Sequence, residues 1–208
     1  MADLSAEKIA QEGLALIDEK GADAFSLRAV AQRLGVTPMA IYHHVNGKAE
    51  LASLVVDFAM KSTPLTELSE DWREALWQIA CWSRMRTRKH IEVAQLRRMF
   101  RLWPPSMQRV SELWLECWRK SDLPPDQIKQ AAIASSMAVY GLVNEDSVLH
   151  RGLDEVPDLT VSGERSLSEF LAEEAEVDRV FEFTVRAMID GVYARACAEA
   201  KSEYEAAT

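Results

Sequence analysis

A chain of 208 residues suits one or two small domains, and its net charge of −9, from 33 acidic and 24 basic residues, excludes a surface that coats nucleic acid everywhere while allowing one small basic reading head. Eight glycines, seven prolines and no strand-like alternation point to an all-α protein. No apolar run is long enough for a membrane span, the acidic start MADLSAEKIAQEG is no signal peptide, and Cys81, Cys117 and Cys197 show neither metal spacing nor a disulfide framework, so a cytoplasmic protein with reduced thiols is expected.

Ser5 is a plausible N-cap for the first helix, with Glu7 in its first turn and Ile9, Gly13, Leu16 and Ile17 as its apolar stripe. Gly21 ends it, and Phe25 should plug the joint to the next helix. From Ser26 to Lys48 two short periodic segments flank a glycine. Leu27, Val30, Ala31 and Leu34 mark one buried face, and Gly35 sits where a left-handed cap is needed. Thr37 can N-cap the next helix, Pro38 suits its first position, and Ile41 and Val45 pack it back, with small Ala31 permitting a close crossing. This is the pattern of a helix-turn-helix whose recognition helix runs from Pro38 to His44. The stretch holds Arg28, Arg33 and Lys48 and no acid, a basic island in an acidic chain. The face opposite Ile41 and Val45 offers Thr37, Pro38, Met39, Tyr42, His43 and His44 for hydrogen bonds or thymine methyls. Tyr42 can alternatively be a core aromatic, and Arg33 reads better as a solvated or ion-paired surface residue than as a base reader. His43 and His44 are adjacent on a helix and point ~100° apart, which disfavours a shared metal ion. Neither a metal nor a cofactor is expected.

The string Leu34-Gly35-Val36, Ile41-Tyr42, His44-Val45, Lys48 and Leu51, preceded by a helix with Gly21 and Phe25, resembles the DNA-binding domain of the tetracycline-repressor (TetR) family over about the first quarter of the chain. The resemblance implies phosphate contacts for Ser26, Tyr42, His44 and Lys48, and base-edge positions for Arg28, Thr37, Pro38 and Met39. It also implies a second domain that binds an inducer and dimerises. The expected division is residues 1–47 as the three-helix helix-turn-helix domain and 48–208 as the helical ligand-binding and dimerisation domain, with 48–62 as a connecting helix.

Beyond Asn46-Gly47, the connecting helix carries Leu51, Leu54, Val55, Phe58 and Ala59 and closes at Pro64. Ser69 can cap a long helix with Trp72, Leu76, Ile79, Trp82 and Met85 at helical spacing. The run from Arg84 to Arg101 is basic, and Trp103-Pro104-Pro105 is the first break after it. That run is either a solvated face paired with Glu169, Glu173, Glu174, Glu176 and Asp178, or the source of one inward arginine that selects an anionic ligand. His90 and His150 read as ordinary surface or capping histidines. A helix with Met107, Val110, Leu113, Trp114, Cys117 and Trp118 follows, then Leu123-Pro124-Pro125, then a long helix from about Asp126 to Leu149 dotted with Ala131, Ala134, Ser135, Ala138 and Gly141. A connection from Arg151 to Ser168 is long enough to suggest mobility or function. The last helix, about Leu171 to Glu199, has a wide apolar stripe including Val177, Phe181, Val185, Met188 and Val192. Its end also resembles that of many TetR-family chains.

All six tryptophans fall between Trp72 and Trp118, and methionines cluster nearby. Each is singly a core residue. Together they suggest an apolar or amphipathic ligand pocket, with Trp82, Met85, Met99, Phe100, Trp103, Trp114, Trp118, Met137 and Tyr140 as candidate lining. No histidine and polar set for a metal–tetracycline complex is visible, so the drug is not implied as ligand. The expected function is a ligand-responsive dimeric transcriptional regulator, a repressor on a palindromic double-stranded operator, released by a small inducer whose identity the sequence does not give. The alternative is a helical enzyme or small-molecule carrier with an incidental helix-turn-helix. No nucleophile–base spacing, phosphate-cradling glycine loop or metal signature supports an enzyme. The last two long helices, one with a small-residue stripe and one with a wide apolar stripe, are expected to form a four-helix bundle across a two-fold axis in a homodimer.

Overall fold

Ser5 begins the first helix as its composition demands: its Oγ accepts the Lys8 N–H at 3.2 Å. In the computed structural model, which describes residues 4–63, 65, 67–151, 169 and 173–206, α1 (Ala6–Lys20) ends at Gly21, whose φ of 80° suits a residue without a side chain. A 3₁₀ turn (Ala22–Ala24) leads to α2 (Leu27–Leu34), α3 (Pro38–Tyr42) and α4 (Lys48–Lys61). Then come α5 (Trp72–Lys89), α6 (Ile91–Phe100), α7 (Pro105–Arg119), α8 (Pro125–Arg151) and α9 (Glu174–Ala206). Among the described residues all regular structure is helical. The close expected at Pro64, the connection at 152–168 and the helix start at Leu171 lie outside the described residues.

The chain forms two compact units, Met1–Thr66 with Met85–Val110, and Glu67–Arg84 with Ser111–Thr208. In the first, α1 packs on α2, α4 and α6, and α4 packs on α6. Its core holds Ile9, Ile17, Phe25, Val30, Ile41, Leu51, Val55 and Leu96. Gly13 is where α1 and α4 meet: a Cβ there would lie 2.5 Å from Val55 Cγ2, so only a residue without one fits.

The sequence placed no break before Trp103, but the helix stops at Lys89 and a new one starts after His90 (φ −133°, ψ 63°). The reason is tertiary. The His90 Nδ1 lies 2.8 Å from Asp18 Oδ2 on α1, and Glu92 Oε2 accepts the Ala22 N–H at 2.8 Å. The α6 helix closes at Arg101, a non-glycine residue at φ 51°, with the Leu102 N–H reaching back to the Arg97 carbonyl. A side chain on α4 completes the start of α7: Asp57 Oδ1 accepts the Ser106 N–H at 3.1 Å, one of the donors a helix start leaves over.

In the second unit Asp71, rather than Ser69, caps α5. Its Oδ1 accepts the Arg73 and Glu74 N–H groups, both at 2.9 Å, while Ser69 Oγ takes the N–H of Asp71 itself. An ionised cap carries the stronger bond and complements the helix dipole, so it displaces the hydroxyl. The core stacks Trp72 on Trp118 (5.0 Å between centroids) and Trp77 on Phe181 (5.9 Å). Ser135, within the small-residue stripe of α8, takes both the Trp114 and Trp118 indole N–H groups, at 2.9 and 3.0 Å, and donates to the Ala131 carbonyl. Arg84 bridges Asp146 on α8 and Asp178 on α9, each at 2.7 Å, with its guanidinium over the Phe181 ring. Helices α8 and α9 pack against each other.

Candidate nucleic-acid interface

Local chemistry builds the helix-turn-helix. Ser26 caps α2 by accepting the Ala29 N–H at 3.1 Å, and Gly35 turns the chain at φ 66°. Thr37 caps α3 by accepting the Ala40 N–H at 3.4 Å, with Pro38 at the first helical position. The α3 helix ends at Tyr42, two residues before the predicted limit, although the His44 and Val45 N–H groups still bond to the Ile41 carbonyl. Ile41 and Val45 are buried, and this anchors the helix by one edge.

The opposite side is open. Arg28, Thr37, Pro38, Met39, Tyr42 and His43 are exposed, Met39 at 65 % and Tyr42 at 48 %. Two large apolar side chains held in water on so short a helix are not there for packing. Ser26, His44 and Lys48 are half-buried. The α3–α4 turn is held by Glu50, whose Oε2 accepts both the backbone N–H and the side-chain Nδ2 of Asn46 at 2.7 Å. Those two hydrogen bonds, the backbone one foremost, hold the Glu50 carboxyl below its ordinary value.

The three cations of this segment differ. Arg33 is bound to α1 through Glu19, at 2.6 and 2.9 Å, and through Glu12 at 3.2 Å. The Arg33 hydrogen bond keeps Glu19 ionised below its ordinary value. Arg33 is thus a structural ion pair, and the outward positive charge rests on Arg28 and Lys48. Lys48 is the first residue of α4, with its ammonium 5.4 Å from the centre of the Phe100 ring. Sequence reading missed the partners of Arg33 because they lie 14 and 21 residues away. It read Phe100 only as a pocket residue, because its neighbours Phe25 and Lys48 are distant in the chain.

The candidate ligand residues divide. Trp82, Trp114 and Trp118 are buried in the second unit. Met137 and Tyr140 belong to that unit and are exposed, at 69 % and 41 %. Met85, Met99 and Trp103 belong to the first unit and are also exposed, while half-buried Phe100 lies edge-on to Phe25. Among the described residues no three His, Cys, Asp or Glu side chains gather as a metal site, and no helix is long and apolar enough to cross a membrane. The three cysteines are free thiols.

The fold and this face define an all-α protein with an N-terminal helix-turn-helix. Residues 9–55 match the family model of bacterial regulatory proteins of the tetR family. That match covers the helix-turn-helix and the start of α4, the N-terminal part of the chain. The chain is 26 % identical over 140 residues to an HTH-type transcriptional repressor, DrrR1, of Streptomyces coeruleorubidus, a match covering 66 % of this chain and 52 % of that one. The chain thus spans about half the length of this relative. Two solved structures share the fold. Streptomyces coelicolor ActR in complex with actinorhodin has a TM-score of 0.70 and 24 % identity over 94 % of this chain and 98 % of that one. Mycobacterium smegmatis BioQ has a TM-score of 0.69 and 20 % identity over 92 % and 99 %, and BioQ is also solved with its double-stranded DNA operator.

Proposed function

We propose that this chain is a ligand-responsive transcriptional regulator, a repressor that binds a two-fold-related operator as a homodimer in the cytoplasm and leaves it when a small apolar or amphipathic inducer binds. The observation that carries this reading is the exposed face of α3, with Met39 and Tyr42 in water beside Arg28 and Lys48, inside a segment matching the TetR family. Repression in DrrR1, operator binding in BioQ and a bound small molecule in ActR support it by likeness. In this reading Ser26, Tyr42, His44 and Lys48 hold phosphates, and Arg28, Thr37, Pro38 and Met39 face base edges. Residues 1–47 form the reading head, and the connecting helix α4 begins the second functional domain. Trp82, Trp114 and Trp118 are the candidates for the inducer pocket that lie buried in the second unit.

The dimer reading rests on α8 and α9. Ile133, Met137 and Tyr140 on α8, and Val180 and Phe183 on α9, are exposed large apolar side chains on two helices that already bury their other faces. Such surface is costly in water and suits a second copy of the chain.

Enrichment of duplexes from a random-sequence library on the purified full-length protein tests the function. A palindromic consensus bound at physiological salt is expected. Failure to enrich any sequence above background overturns the reading.

A further inference from the structure

We propose that Phe100, at the end of α6, is a positioning residue for DNA binding: its ring holds the Lys48 ammonium ready for a backbone phosphate. The proposal rests on the operator-binding reading above and adds a residue outside the helix-turn-helix to it.

Lys48 occupies an unfavourable place for a cation. It opens α4 directly after Gly47, at the end where the helix dipole is positive. Helix stability therefore does not explain a lysine there. The negative face of the Phe100 ring, 5.4 Å away, offsets that repulsion and narrows the conformations of a long, flexible side chain. An ammonium resting on a ring by one side keeps the donors on its other side for a phosphate oxygen. Ordering the side chain before the encounter lowers the entropy lost on binding.

The ring itself is fixed from two further directions. It packs edge to face with Phe25, centroids 6.3 Å apart and planes at 71°, and Phe25 is fully buried immediately before Ser26, the cap of α2. The backbone after it is closed at once by Arg101 in the left-handed region and by the Leu102 N–H to the Arg97 carbonyl. At its other end α6 is fastened to the reading head by the contacts of His90 with Asp18 and of Glu92 with the Ala22 amide. The ring is thus a fixed part of the same compact unit as the helix-turn-helix, placed between the entry of α2 and the first residue of α4.

A double-mutant cycle separates positioning from mere packing. The probe is the palindromic duplex enriched on the wild-type protein, titrated over a range of salt concentrations. Phe100→Leu keeps apolar volume and removes the ring face. It is expected to weaken binding about two- to five-fold, alike on all sequence variants of the duplex, and to move the salt slope toward that of Lys48→Ala, whose loss of one phosphate contact is worth about 0.9 in slope. In the Lys48→Ala background the same change should have no further effect. Phe100→Tyr should restore the affinity lost in Phe100→Leu, and Phe100→Met replaces the leucine variant in the cycle if the latter does not fold. In the DNA-free protein the Lys48 Hε protons should resonate upfield of other lysines in the wild type and return in the variant. Equal losses in both backgrounds, no loss in either, or unshifted Hε protons overturn the positioning role while leaving the operator reading intact. A wild-type protein that enriches no duplex overturns both.

Discussion

Arg28, Arg33 and Lys48 look equivalent in the sequence, yet their surroundings divide them. Arg33 is spent on Glu12 and Glu19, while Arg28 stands in solvent and Lys48 rests on an aromatic face. Tyr42→Phe and Lys48→Ala should therefore weaken operator binding by similar factors on every operator variant, because a phosphate contact carries no base information. Arg28→Ala should instead relax the preference at one base position by about 1–3 kcal/mol. Titrations against a set of single-base variants check both, and a uniform loss for Arg28→Ala would contradict its base-edge assignment. Gly13 provides a stability test. Alanine gains about 1 kcal/mol in helix propensity, but its Cβ would collide with the stiff Val55 side chain, and overpacking costs about 1–3 kcal/mol. Gly13→Ala should melt at a lower temperature than the wild type. Much of this was legible: Gly35, Thr37 and Pro38 act through neighbours within three or four positions, so their roles follow from residue type and order. The Ser26 cap of α2 went unread, although its partner is three residues away. The ion pair of Arg33 was not legible, because its partners are chosen by how α1 lies on α2.

The same contrast governs whole elements. Helices α7 and α8 start where the Pro-Pro pairs announce them, whereas the stop between α5 and α6 carries neither glycine nor proline and is decided by Asp18 and Ala22 on the other side of the unit. The far end of α6 holds strain, since Arg101 occupies a region that costs a side chain about 1–2 kcal/mol. Arg101→Gly should raise the melting temperature, with a net gain of about 0.5–1 kcal/mol once the greater freedom of the unfolded glycine is subtracted. The joint between α4 and α7 gives a pH dependence. Partial burial pushes the Asp57 carboxyl up, but bonds from Lys61 and Ser106 outweigh it and leave the group below its ordinary 3.8. A depressed carboxyl contributes stability that is fully present above its unfolded value and is lost as pH falls through the folded one. Between about pH 5 and pH 2 the wild type should therefore lose stability more steeply than Asp57→Asn, and parallel curves in acid denaturation would count against the tie.

At the scale of the molecule, the exposed side chains of α8 and α9 predict a dimer at micromolar concentration. Sedimentation should show it, and Phe183→Glu with Met137→Glu should give a folded monomer. Only a dimer can set two recognition helices ~34–36 Å apart for successive major grooves. If the inducer favours another spacing, linkage requires operator to weaken inducer binding by the factor by which inducer weakens operator binding. Calorimetry with and without the operator duplex checks this, and equal affinities would rule it out. The all-helical class was legible from periodicity and low glycine content, but the membership of α6 in the same unit as the reading head was not, since it depends on contacts some 70 residues apart. The uneven placing of the indoles has an optical consequence. Five tryptophans lie in the second unit, buried or half-buried, while Trp103 stands in the first at 55 % exposure. Acrylamide or iodide should therefore quench a red-shifted fraction of the intrinsic fluorescence that Trp103→Phe abolishes. The protein carries a native fluorophore reporting on the unit that contains its reading head, and a change in its quenching would reveal an inducer or a duplex without any label.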